Sequence, residues 1–223
     1  MDLTPIYLTL KLAAITTLLL LVIGLPVAWW LSRGRSFFKI ALEAIITMPL
    51  VLPPSVLGFY LLLAFSPQHG IGLWLQKTFD VQFVFSFKGL VLASIIYSMP
   101  FMIGPIKSAL QQLPASLSQA SYSLGKSRWQ TFTRVLLPNI KPSLLTAIVL
   151  TFAHTLGEFG VVLMIGGNIP GVTRVASIAV YDSVEQMDYH AANVYSLILF
   201  AITFVLVIAV FIFNKYQLKS PLE

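Results

Sequence analysis

Cysteine is absent and charge is scarce in this chain of 223 residues. The first absence excludes disulfides, thiolate catalysis and cysteine-held metals. The second excludes a water-facing surface over most of the chain. Charged residues make up 10% and hydrophobic ones 57%, with a mean hydropathy of +0.87, whereas an average soluble domain is roughly 25% charged. Acidic residues are the scarcest group, and none falls between Asp80 and Glu158. No Gly-rich phosphate loop with its lysine occurs, so any ATP hydrolysis must belong to another chain. The histidines, aspartates and glutamates show no metal-ligand spacing and assemble no nucleophile, base and orienter, which weighs against a membrane enzyme; no cofactor is expected.

What is there is an all-α integral membrane protein. Five apolar runs reach the roughly 20 residues that a membrane helix needs: residues 6–31, 42–65, 89–111, 143–165 and 191–213. The first run follows an N-terminus without the basic segment of a signal peptide and is read as a retained span. The net charge of +6 does not point to nucleic acid, because the basic residues sit in short connections suited to lipid headgroups and membrane orientation. With the N-terminus outside and the C-terminus inside, the inner side receives Arg33, Arg35, Lys39, Lys107, Lys126, Arg128, Arg134, Lys141, Lys215 and Lys219. The outer side keeps only Lys11, Lys77, Lys88 and Arg174, and short loops rich in lysine and arginine stay in the cytoplasm. The stretch from Gly70 to Phe87 carries Gln76, Lys77, Asp80 and Gln82, so it is read as an external loop with an amphipathic or re-entrant piece. The whole of 1–223 is taken as one transmembrane domain.

The longest inner connection, at about 112–142, predicts two short amphipathic helices. Ser116 with Gln119 has the spacing of a capping box that starts a helix near Leu117. Gly125 supplies the left-handed residue that ends it. A second box, Ser127 with Gln130, starts a helix that runs towards Leu137 and stops at Pro138, with Trp129, Phe132 and Leu136 at helical spacing. Any loop of this length between spans could fold so; the spacing says more. Gln119-Ala120-Ser121, three residues, Gly125, nine residues, Val135, one residue, Leu137-Pro138 resembles the EAA loop of bacterial ABC importer permeases, with Gln119, Ser121 and Val135 in place of Glu, Ala and Ile. The resemblance implies a type I ABC importer permease. Ser116, Gln119, Ala120, Ser121, Gly125, Leu137 and Pro138 would then form the element that couples to a separate cytoplasmic ATPase.

Two further stretches narrow the resemblance. Thr47 to Leu62, TMPLVLPPSVLGFYLL, sets Pro49, Pro53 and Pro54 inside a span; carbonyls there lose their donors, and a broken helix beside a cavity is expected. Gly157 to Glu185 opens with GEFG and continues through GNIPG; its glycines and Pro170 predict an irregular outer segment after the fourth span, before a helix from about Thr173. Together these look like the molybdate permeases of the molybdate, tungstate and sulfate branch. That resemblance implies a homodimer in the bacterial inner membrane, served by a dimer of ATP-binding subunits and a periplasmic oxyanion-binding protein. A dianion's route should avoid carboxylates and offer hydroxyls, amides and helix N-termini. Thr47, Pro53, Pro54, Ser55 and Ser98 are the pathway candidates, although each hydroxyl could equally bond its own helix. His154 and Glu158 stand four apart and could pair on one helix face. They are also the one candidate relay for the competing reading, an ion-coupled carrier, which the lack of an internal repeat disfavours. Arg174 could meet the anion, a delivery protein or headgroups.

Overall fold

The computed structural model describes residues 2–34, 36–68 and 70–218, with side chains up to Asn214. Arg35, Lys219 and the side chain of Lys215, three of the basic groups counted for orientation, lie outside the described residues. Among the described residues every regular element is helical.

The chain opens with α1 (Thr4–Leu31), whose first turn holds Pro5 where a missing N–H does no harm. At its far end the ammonium of Lys39 receives the stranded carbonyls, donating to Trp30 O at 2.7 Å and to Arg33 O. Lys39 belongs to α2 (Phe37–Thr47), capped by Ser36, which runs into a 3₁₀ turn at Met48–Leu50. After Pro53 comes α3 (Pro54–Phe65), bent by 114° from the preceding helix. The second apolar run is therefore two helices, as its prolines predict. It also starts at Phe37, ahead of the run, because Lys39 interrupts the hydropathy while serving α1.

The amphipathic α4 (Gly70–Phe79) is too short to span. It leads into α5 (Phe87–Gln112), capped by Ser86 and unbroken despite Pro100 and Pro105. The connection that follows folds as α6 (Ala115–Ser123), α7 (Arg128–Thr131), a π-helical turn at Phe132–Leu136 and α8 (Leu137–Asn139). A bend of 79° then starts α9 (Lys141–Leu156). The fourth run is also two helices, because α9 ends before Gly157 and α10 (Gly160–Gly166) restarts after Phe159. An irregular stretch leads to α11 (Ala176–Glu185). The helix expected from Thr173 begins at Ala176, because Thr173 and Arg174 first donate their amides to Ile169 O in a turn. The last element is α12 (Tyr189–Leu218). Among the described residues three helices are long and apolar enough to cross a membrane, or up to five spans if each bent pair counts as one.

Packing divides along α1. One core gathers Leu20, Met102, Ile106, Phe132, Ile140 and Ala147 at the end that carries the α6–α8 hairpin. A second gathers Leu12, Leu90, Val161, Val162, Ile165 and Ile178 at the opposite end. Tyr195 of α12 donates to Asp2 O at 2.7 Å, and Asn214 donates to Thr146 Oγ1 at 2.9 Å, so α12 runs from the N-terminal end to the hairpin end. Its middle faces outward with Phe200, Phe204, Val205 and Phe211 exposed, the composition of a lipid-facing surface. The two short helices α3 and α10 touch closely: a Cβ on Gly58 of α3 would stand 2.8 Å from Met164 Cβ and 3.1 Å from Val161 Cα of α10. Gly58→Val is expected to push α3 from α10 and destabilise the fold by about 1–3 kcal/mol, read as a lowered thermal-denaturation midpoint of the detergent-solubilised protein.

Candidate functional site

The two broken runs meet. A Cβ on Gly160, the first residue of α10, would stand 2.9 Å from Pro54 Cβ and 3.4 Å from Ser55 N, so glycine is what lets the start of α10 reach the start of α3. Beside this crossing lies a wide, open cavity of about 630 Å³ bounded by Pro54 and Ser55, by Tyr97 of α5, and by His154 and the 157–160 break. Two independent helix breaks and the rings of Tyr97, His154 and Phe159 thus line one space.

His154 is held from two sides. Its ring stacks on Phe101 at 4.0 Å between centroids and lies 4.9 Å from Tyr97. Its Nδ1 is 3.0 Å from Ser98 Oγ, which is 3.2 Å from Thr155 Oγ1, which donates to Thr151 O at 2.9 Å. Each hydroxyl has one proton. With Thr155 donating to the carbonyl, Ser98 donates to Thr155 and Nδ1–H donates to Ser98, so Nε2 is the nitrogen left for the cavity. Ser98 is fully buried; it reaches the cavity through the imidazole. Ser55 lines the cavity directly, Pro53 caps α3 and Pro54 opens it. Thr47 stands apart, donating to Glu43 O at 2.7 Å inside its own helix.

His154 and Glu158 do not pair. Four residues bring two side chains together only while the helix continues, and this one ends at Leu156. Glu158 is instead buried, its two carboxyl oxygens without a partner among the described residues, while its backbone carbonyl accepts from Ser177 Oγ at 2.6 Å. Arg174 is committed to neither anion nor headgroup. It forms a closed ring in which Nε donates to Asn168 at 2.6 Å, Asn168 donates to Asp182 at 2.6 Å, and Arg174 pairs with Asp182 at 3.0 Å. The ring ties the irregular 167–175 stretch to α11.

The hairpin is the other organised feature. Gly125 sits at φ +73°, its amide donating to Tyr122 O at 2.9 Å while Lys126 donates to Ser121 O at 3.1 Å. This is a complete Schellman ending of α6. The Ser127–Gln130 capping box forms with both bonds, at 3.1 and 3.2 Å. The Ser116–Gln119 box does not: α6 begins at Ala115 directly after Pro114, which leaves Ser116 inside the first turn with no cap to make. Pro138 does not end the helix either. Its missing N–H is accommodated by the π turn, in which Leu137 donates to Phe132 O, and Asn139 Nδ2 donates to Val135 O at 2.7 Å. The chain turns at Ile140.

The buried Ser121 and Thr131 hydroxyls, 2.9 Å apart, lock α6 to α7. Phe132 stacks on Trp29 at 4.3 Å with Trp129 alongside, and Arg33 covers the other side of Trp29 at 3.8 Å, so the hairpin is fastened to α1. Its outer side leaves Tyr122, Leu124 and Trp129 exposed, next to a shallow groove of about 290 Å³ floored by Leu117, Ala120 and Val135.

Residues 12–220 match the family described as binding-protein-dependent transport system inner membrane component. The chain belongs to this permease family. Among curated relatives of the permease, the molybdenum transport system permease protein ModB of Azotobacter vinelandii is 48% identical over 86% of this chain and 85% of its own length. ModB of Escherichia coli K12 is 37% identical over 81% of this chain and 79% of its own. The sulfate transport system permease protein CysT of the same strain is 34% identical over 85% and 68%. The fold is shared with a bacterial ABC transporter involved in the import of the acidic polysaccharide alginate, at TM-score 0.78 and 19% identity over 96% of this chain and 79% of that one. It is shared too with the MetNI methionine ABC transporter in an inward-facing conformation, at TM-score 0.70 and 18% identity over 95% and 94%.

Within this permease, sequence reasoning missed Tyr97 and Phe101 at the cavity and Thr131, Trp29 and Arg33 at the hairpin, and it set the irregularity at 157–160 after the fourth run rather than within it. GEFG in mid-run carried the one usable signal, two glycines where a membrane helix should continue. Ser98→Ala removes the partner of His154 Nδ1 and is expected to cost about 0.5–1.5 kcal/mol and to shift the imidazole resonances in ¹⁵N NMR; unchanged resonances would rule out the chain from Nδ1 to Thr151.

Proposed function

We propose that this permease is the membrane subunit of an ATP-driven importer whose cargo is molybdate, a tetrahedral dianion. The observation that carries the substrate is the extent of likeness to ModB proteins, 48% identity over 86% of the chain in one case. The cavity's chemistry supports it. Ser55 stands in the first turn of α3, where the helix dipole favours an anion. Glu158 lines the same space, but both its carboxyl oxygens are buried, so an entering dianion meets the Ser55 hydroxyl, a phenol and an imidazole. Pro53 and Pro54 hold the break open, and Ser98 positions His154.

In this reading two copies of the chain enclose the path in the bacterial inner membrane, with N-termini outside. A periplasmic oxyanion-binding protein delivers cargo to the outer ends, and a dimer of ATP-binding subunits receives the hairpins. Gln119, Ala120, Ser121 and Gly125 present the exposed side of α6 and its turn, while Leu137 and Pro138 carry its displacement into α9. The π turn and the aromatic clamp on Trp29 make the hairpin a stiff lever rather than a slack loop.

The reading is tested in proteoliposomes that hold this chain with its ATP-binding partner and the binding protein. Gly125→Pro is the variant, since proline cannot adopt φ +73°. Wild type is expected to take up molybdate only with ATP, and the variant is expected to lose uptake and the stimulation of ATPase by loaded binding protein. Competition by excess sulfate that outmatches molybdate would reassign the cargo. Uptake that proceeds without ATP and follows a proton gradient would replace the importer by a carrier.

A further inference from the structure

A groove on the seam between α1 and α5 is used by neither the cavity nor the hairpin. It holds about 400 Å³, is walled by Ile15, Phe83, Phe87, Val91, Leu92 and Ile95 with Lys88 among its lining, and exposes carbon alone. Sequence spacing builds it. Lys88, Val91, Leu92 and Ile95 fall at i, i+3, i+4 and i+7 and share one face of α5; Lys11 and Ile15, at i and i+4, share one face of α1. Each helix therefore sets a lysine at one end of the groove and aliphatic side chains roughly 5–10 Å farther along, at about 1.5 Å of rise per residue.

The two lysines come to the same end. Lys11 Nζ lies over the ring of Phe87, the neighbour of Lys88, at 5.0 Å from its centroid, and 6.0 Å from that of Tyr7. Neither forms an ion pair among the described residues, where the pairs are Lys107 with Glu43 and Arg174 with Asp182. Trp74 and Phe79 of α4, exposed and edge-on at 5.6 Å, belong to the adjoining connection. Aromatic side chains of this kind mark headgroup level. Lys11 over the Phe87 ring and Lys88 in the lining set two cations at one end of an all-carbon groove, which complements an amphiphile with an anionic head and an aliphatic tail.

We propose that this groove is a binding site for one anionic phospholipid, its phosphate between Lys11 and Lys88 and one acyl chain laid along Ile15, Val91, Leu92 and Ile95. The phosphate accepts from both ammonium groups. A zwitterionic headgroup brings a positive charge back to them, so the site selects for net negative charge. The site is independent of the cargo.

The test uses the full chain with its associated subunits, purified from nanodiscs of mixed phosphatidylglycerol and phosphatidylcholine, with retained lipid counted by native mass spectrometry. Wild type is expected to retain phosphatidylglycerol in preference. Lys11→Gln and Lys88→Gln should each weaken retention about fivefold and together about 25-fold, while the double Lys→Arg variant keeps it. Leu92→Trp, which fills the groove and spares both lysines, should displace the lipid while the complex keeps its elution volume. Equal retention of the two lipids, or unchanged retention in the double Gln variant, overturns the proposal. Because the chain has no cysteine, Leu92→Cys adds a clean check: complete disulfide formation between two copies in the membrane would place a second chain, not a lipid, on the groove.

Discussion

Hydrocarbon offers no hydrogen bonds, so a chain within it can interrupt a helix only where protein or a water-lined space closes around the break. This permease interrupts two runs, at 51–53 and 157–159, and the rest of the arrangement follows from placing those interruptions against each other. Gly160 allows the contact, because any side chain there would collide with Pro54. Gly58 repeats the device one turn along, against Met164 and Val161. The continuous helices α1 and α5 then serve as the frame, and the cavity is the volume that the two breaks and α5 leave between them.

The hairpin is held together by a different set of contacts. Its turn is fixed by Gly125, its two arms by the Ser121–Thr131 hydroxyl contact, and its base by the stack of Phe132 on Trp29 under Arg33. Ser121 is one of the positions that departs from the EAA pattern, and its hydroxyl accounts for the departure: alanine there could not reach Thr131. The hairpin leads through Ile140 directly into α9, whose far end carries Thr151, His154 and Thr155. The hairpin and the cavity wall are thus joined through a single helix beyond the 79° bend at Ile140.

Long elements were legible because length and hydropathy alone define them: 6–31, 89–111 and 191–213 correspond to α1, α5 and α12. The proline break was legible for the same reason, since a missing N–H acts locally. Gly125 and the Ser127 box were legible because a turn and a cap are decided within a few residues. The Ser116 box failed because Pro114 started the helix two residues early. Pairing of His154 with Glu158 failed because it assumed a continuous helix. The Ser98–His154–Thr155 chain joins positions 56 and 57 residues apart, and no local spacing encodes such a contact. Arg174 appeared free in sequence, since its partners Asn168 and Asp182 are brought to it only by the fold of the 167–175 stretch.

The space where the two breaks meet is proposed to lie on the anion's path. In a chain without cysteine, Ser55→Cys places one thiol at that space. The decisive measurement is its rate of modification by a charged, water-soluble methanethiosulfonate reagent in the assembled transporter, with and without molybdate and ATP. The account predicts that the thiol reacts, that its rate changes between ATP-bound and ATP-free states, and that molybdate slows it. A thiol that only a lipid-soluble reagent can reach, at a rate indifferent to nucleotide and anion, would place the path elsewhere.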